Sequence, residues 1–176
     1  KVWFSVLLYF AIIELVIIFT KPSLFFFCIF ILTRVIFVFA FTFSVIIKRK
    51  ISKNFFQLLQ NILVFALMTF LYKETAMLNT LIFPKIDEFL SNLDQTIFNF
   101  QPSIEFSKHF NSLFFSELFY FGYFCYYLLP LVVFGILYKF LPQKIEEFGF
   151  ILISSFLLYY FIFIIIPAEG PQFYFT

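Results

Sequence analysis

The residues of this sequence that could do chemistry sit largely where ionisable groups are costly. Glu14 and Arg34 each lie inside a long apolar run. An ionisable side chain at membrane depth is paired or belongs to a binding or transport path. Counting about 1.5 Å per residue from the turn at Lys21, Glu14 lies roughly 10 Å deep and Arg34 roughly 18 Å. Two long side chains can bridge that gap, and both a structural ion pair and a substrate contact fit it. A second set starts at Glu117, beside Ser116, Tyr120, Tyr123 and Tyr127, which recur at helical spacing on one face. A polar stripe in lipid must face another helix or a wet cavity. It therefore predicts helix–helix hydrogen bonds or the lining of a headgroup pocket, with Ser155 and Tyr159 as a matching stripe. A third set is the Ile-Ile-Ile-Pro-Ala-Glu-Gly-Pro-Gln-Phe stretch at 164–173. Pro167, Gly170 and Pro171 break an apolar run there and free backbone groups, which are tolerated near a bilayer only where protein or water satisfies them. Such a turn is a helix stop with a loop, or a ligand mouth.

Other chemistry is missing. His109 is the one histidine, and a lone histidine without a cysteine or histidine cluster predicts no metal site and no metal cofactor. No Ser-His-Asp set, glycine-rich phosphate loop or zinc spacing can be built from these residues. Cys28 and Cys125 fall in apolar runs and are expected to be buried, unpaired thiols. No cofactor is expected. A net charge of +2 gives no sign of a nucleic-acid partner.

The elements that must position these residues are membrane helices. Hydrophobic residues form 63% of the chain and charged ones 12%, against about 45–50% and about 25% in soluble domains. A soluble fold of this length could not hide so much apolar surface. A transmembrane helix takes about 20 apolar residues, and five stretches qualify: 2–19, 24–47, 55–72, 113–140 and 148–166. The fold class expected is all-α, a polytopic membrane helix bundle whose partners are membrane lipids. Short loops rich in Lys and Arg face the cytoplasm. Lys48, Arg49, Lys50 and Lys53 put the second loop inside, with Lys1 and the 139–147 segment. Lys21, the 73–112 connection and the 167–176 end then fall on the outer face.

The outer connection carries its own helix. From Pro84, apolar residues at Ile86, Phe89, Leu90, Leu93, Ile97 and Phe98 follow amphipathic spacing, with Pro84 suited to a first helical position. Such a helix lies in the membrane interface or packs over the end of the bundle. A second short helix is expected near Ser103.

From Asp87 onward the chain resembles the membrane-integral type 2 phosphatidic acid phosphatase superfamily, most nearly the branch of the inositol phosphorylceramide synthases. Three pieces carry the resemblance in order: Ile86-Asp87 through Gln101-Pro102; Ser116-Glu117-Leu118-Phe119-Tyr120-Phe121-Gly122-Tyr123 through Tyr127 and Pro130; and Pro167-Ala168-Glu169-Gly170-Pro171. It implies additional N-terminal spans over 1–75 and the start of a lipid-phosphatase-like domain over 76–176. It implies phosphoryl transfer or hydrolysis on a lipid phosphate at the outer face, with Gly170, Pro171, Gln172, Glu117, Tyr120 and Tyr123 near the substrate. Family members use a histidine nucleophile, a histidine acid and Arg/Lys donors around the phosphate, where catalysis is mostly charge stabilisation. The chain departs from that pattern at Gln172, where arginine is common, and at Ile165, where others carry lysine. The histidine motifs are expected beyond Thr176, so the chain reads as a fragment, inactive alone. The competing class is a non-enzymatic lipid-binding, scaffold or transport protein.

Overall fold

The computed structural model describes residues 1–20 and 22–175, apart from the side chains of Thr80 and Gln172. Lys21 and Thr176 lie outside the described residues, as does the side chain of Gln172. Among the described residues the regular elements are all helical. In order they are α1 (Val2–Thr20), α2 (Leu24–Lys48), α3 (Lys53–Ile82), α4 (Asp87–Phe98), α5 (Pro102–His109), α6 (Leu113–Phe140), α7 (Ile145–Ile165) and α8 (Pro171–Tyr174), with a 3₁₀ turn at Pro142–Lys144. Five helices are long and apolar enough to cross a membrane, as expected for a membrane helix bundle.

Each buried stripe follows helical periodicity. On α1 it is Val2, Val6, Tyr9, Ile13 and Ile17, and on α2 Phe30, Thr33, Phe37, Ala40 and Ser44. On α7 it is Ile145, Gly149, Ile153, Leu157, Tyr160 and Ile164. Steps of three and four keep one face turned inward, and the remaining faces expose Phe, Leu and Ile to the surrounding lipid. The stripes converge on α3, which packs against α7, α2, α1 and α6. Gly149 makes the α3–α7 contact close: a Cβ there would run into the Asn61 amide. Small residues let helix backbones approach in this way where lipid offers no hydrophobic drive to associate. By contrast, α6 buries only Pro130 and Phe134 and is otherwise exposed.

Three details differ from the sequence expectation. The third span does not end at residue 72, because α3 continues through Lys73 and Glu74 to Ile82. Leu71, Thr75 and Leu78 keep the buried face going, so Glu74 belongs to the bundle and not to the outer connection. The amphipathic helix begins at Asp87 rather than Pro84, since the Ile86 N–H is given to the Pro167 carbonyl at 3.0 Å. Finally, Cys28 is exposed on the lipid side and Cys125 is half-buried, so neither is a fully buried thiol; both are free.

The ends of the bundle are set by polar contacts. At one end Glu146 accepts a hydrogen bond from Gln57 at 3.2 Å. At the other, residues 84–87 meet residues 167–170.

Candidate functional site

The turn after α7 is clipped to the start of α4. The Asp87 carboxylate, only 7% exposed, accepts the Glu169 N–H at 2.9 and 3.1 Å and the Gly170 N–H at 2.9 Å. Lys85 Nζ donates to Glu169 Oε1 at 2.5 Å. Gly170 has φ of 87°, a conformation open to glycine at little cost, and it lets the chain reverse into α8. The clip satisfies two backbone donors that the Pro/Gly break would otherwise leave free, as a membrane-edge turn requires. It also occupies them: an incoming anion would find the Glu169 and Gly170 amides already bonded to a carboxylate.

Beside the clip is a recess of about 340 Å³, lined by Tyr72, Asn79, Lys85, Pro167, Glu169 and Phe173 among others. Its donors are the Lys85 ammonium, half-exposed, and the Asn79 amide, whose Oδ1 is buried without a partner. Of the residues singled out in sequence, Gly170 and Pro171 follow Glu169 in the chain but do not line the recess. Glu117, Tyr120 and Tyr123 do not line this recess. They stand on the exposed face of α6. Tyr123 and Tyr127 satisfy one another, hydroxyl to hydroxyl, at 2.7 Å. Glu117 makes no hydrogen bond or ion pair among the described residues. Ser155 returns its hydroxyl to the Ile151 carbonyl at 2.8 Å, and Tyr159 is exposed, so the two stripes do not meet. On α7 the serine that does bond to another helix is Ser154, 2.9 Å from Ser5. His109 sits exposed at the end of α5, its Nδ1 2.9 Å from the Glu105 carbonyl of its own helix.

A second polar centre lies within the bundle. Arg34 Nε donates to Glu14 Oε1 at 2.6 Å, the expected pair, and Arg34 Nη1 donates to Glu74 Oε2 at 2.5 Å. The Thr33 hydroxyl lies 2.8 Å from Glu74 Oε2 and 2.8 Å from the Phe30 carbonyl, and it accepts from Arg34 Nη1 at 2.8 Å. The guanidinium also stacks over Phe10, 4.4 Å from the ring centroid. Glu74 was the residue hidden from sequence reasoning: beside Lys73 it reads as the end of an apolar run. The signal that could have found it is the apolar spacing that continues past it, Leu71, Leu78 and Ile82.

Comparison with protein-family models, with curated proteins and with solved structures returned no match. The coarse class is therefore carried by the fold: a multi-pass helical membrane protein.

Proposed function

We propose that this chain forms the substrate-holding corner of a membrane lipid phosphatase or phosphotransferase, acting on a lipid phosphate at the outer face. The observation that carries the reading is the clip of Asp87 to Glu169 and Gly170. It joins two of the three pieces on which the family resemblance rests, 86–102 and 167–171, beside a recess lined in part by Lys85. The Lys85 ammonium has three N–H donors, of which Glu169 takes one; with the Asn79 amide it can take two oxygens of a phosphate monoester, and the exposed apolar stripe of α4 suits the headgroup boundary. The sequence supplies one histidine, whereas the family's chemistry uses two, so these residues bind and orient rather than attack.

The test is binding in lipid nanodiscs. Phosphatidic acid is expected to bind more tightly than phosphatidylcholine. Lys85→Gln should weaken it about tenfold, the loss of one charge-assisted hydrogen bond. Gln172→Ala should weaken it less, because a neutral donor is lost, and Gln172→Arg should be tolerated or tighten it. Equal affinity for the two lipids, indifferent to all three substitutions, would overturn the proposal. A non-enzymatic transport role is the second reading, favoured by the charged centre between α1, α2 and α3.

A further inference from the structure

The centre at Arg34 has a charge that does not close. Two carboxylates, Glu14 and Glu74, meet one guanidinium, and no other charged group is hydrogen-bonded to them among the described residues. Taken as ionised, the set carries a net negative charge. It lies about 10–15 Å below the ends of its helices by residue count, within the lipid-buried part of the bundle. Leaving a net charge at that depth is costly, and a titratable group there neutralises instead.

Two further observations point to something bound. The Glu74 side chain is fully buried, and its Oε1 has no hydrogen-bond partner although Oε2 has two. Arg34 Nη2 is likewise buried without a partner. A buried unsatisfied oxygen in a native fold calls for a missing proton, water or ion. Access is provided by the groove between α1 and α2, about 630 Å³, which Glu14 and Arg34 line together with Phe30 and Ile31. Glu14 is half-exposed in it.

We infer that this cluster is a proton-binding site, in which the carboxylates of Glu14 and Glu74 hold one proton between them beside Arg34. The proton comes from water at the groove and adds to a carboxylate oxygen, converting one carboxylate to a carboxylic acid and bringing the cluster to neutrality. Arg34 keeps the two carboxyls together by bonding one through Nε and the other through Nη1. Each neighbouring helix brings its own polar groups. From α1 come Tyr9 and Glu14, with the Tyr9 hydroxyl 3.5 Å from Thr75. From α2 come Arg34 and Thr33. From α3 itself come Thr75, and Tyr72 and Lys73 on the exposed side. From α7 comes Tyr160, which donates to the Met68 carbonyl at 3.3 Å. On α6, Tyr126 packs against Phe156 and Tyr127 is hydrogen-bonded to Tyr123. None of these cancels the excess charge. The inference does not depend on the lipid-phosphate reading.

Infrared spectroscopy of the whole chain in lipid at pH 7 tests it through the deuterium-sensitive carbonyl band of a protonated carboxyl. The wild type is expected to show this band. Glu14→Gln and Glu74→Gln, both near-isosteric, should each abolish it, because one carboxylate then balances Arg34. Arg34→Gln should raise it about twofold, since neither carboxyl then has a counter-charge. Absence of the band from the folded wild type would overturn the site. So would its survival in either glutamate variant, whatever the fate of Arg34→Gln. Binding of phosphatidic acid in the same samples reports on the other proposal separately.

Discussion

Asp87 shows how one side chain sets the geometry of the corner. It stands in the first turn of α4, where a carboxylate suits the helix dipole. The fold uses it differently, to hold a turn more than eighty residues away. Removing a buried acceptor leaves two amides unsatisfied, at about 1–3 kcal/mol each. Asp87→Ala should therefore lower thermal stability and speed hydrogen exchange at Glu169 and Gly170, with little change in α1. Unchanged exchange at those two amides would argue against the clip. A weaker, exposed case is Glu105, whose carboxyl is held below its ordinary range by the hydrogen bond and charge of Lys108. A depressed carboxylate stabilises the fold above its unfolded pKa and loses that contribution as pH falls through its folded one. Lys108→Ala should return the Glu105 titration, followed by NMR, toward the ordinary value.

At the scale of elements, the spans over 2–19, 24–47 and 113–140 were legible to within a residue or so, because apolar runs ended at Lys, Pro or Ser. α3 was not, because Lys73-Glu74 looks like a terminus and its partner Arg34 is distant in sequence. A charge inside a span is invisible to hydropathy until its counter-charge is located. The pairing of Glu14 with Arg34 was readable from depth alone, since neighbouring helices fix it. The Glu117–Tyr127 stripe was readable as a stripe, but not its facing, which depends on how little of α6 the bundle covers. The α4 stripe left two choices, and the exposure of Phe89 at 65% and Leu93 at 43% removes the one in which the bundle covers it. Phe89→Trp in nanodiscs containing brominated lipid should be quenched, and Glu88→Trp should not; equal quenching would contradict an interfacial stripe. At the α3–α7 crossing, Gly149→Ala has no room beside Asn61. Overpacking of this kind costs about 1–3 kcal/mol, to be read as a lower melting temperature in detergent, and Gly122→Ala on open α6 should be close to neutral.

For the whole molecule, the contacts group Gln57 and Glu146 at one end and Lys85, Asp87 and Glu169 at the other. By the positive-inside tendency, the four cations of 48–53 make the first end the one expected on the cytoplasmic side. In a Cys28→Ser, Cys125→Ser background, Lys50→Cys should be shielded from an impermeant thiol reagent applied outside, and Asn92→Cys should react; the reverse pattern would invert the sidedness. The proposed family resemblance rests on ordered pieces alone. The structure brings two of them together, while Glu117, Tyr120 and Tyr123 of the third do not line the recess, whose polar residues include Lys85 and Asn79. A photoactivatable phosphatidic acid, with the reactive group next to the phosphate, tests this arrangement most directly. Crosslinked peptides should map to 79–87 and 167–175 and be competed by unlabelled phosphatidic acid but not by phosphatidylcholine. Labelling confined to the α1–α2 groove, or equal competition by both lipids, would contradict a lipid-phosphate site at the clipped corner.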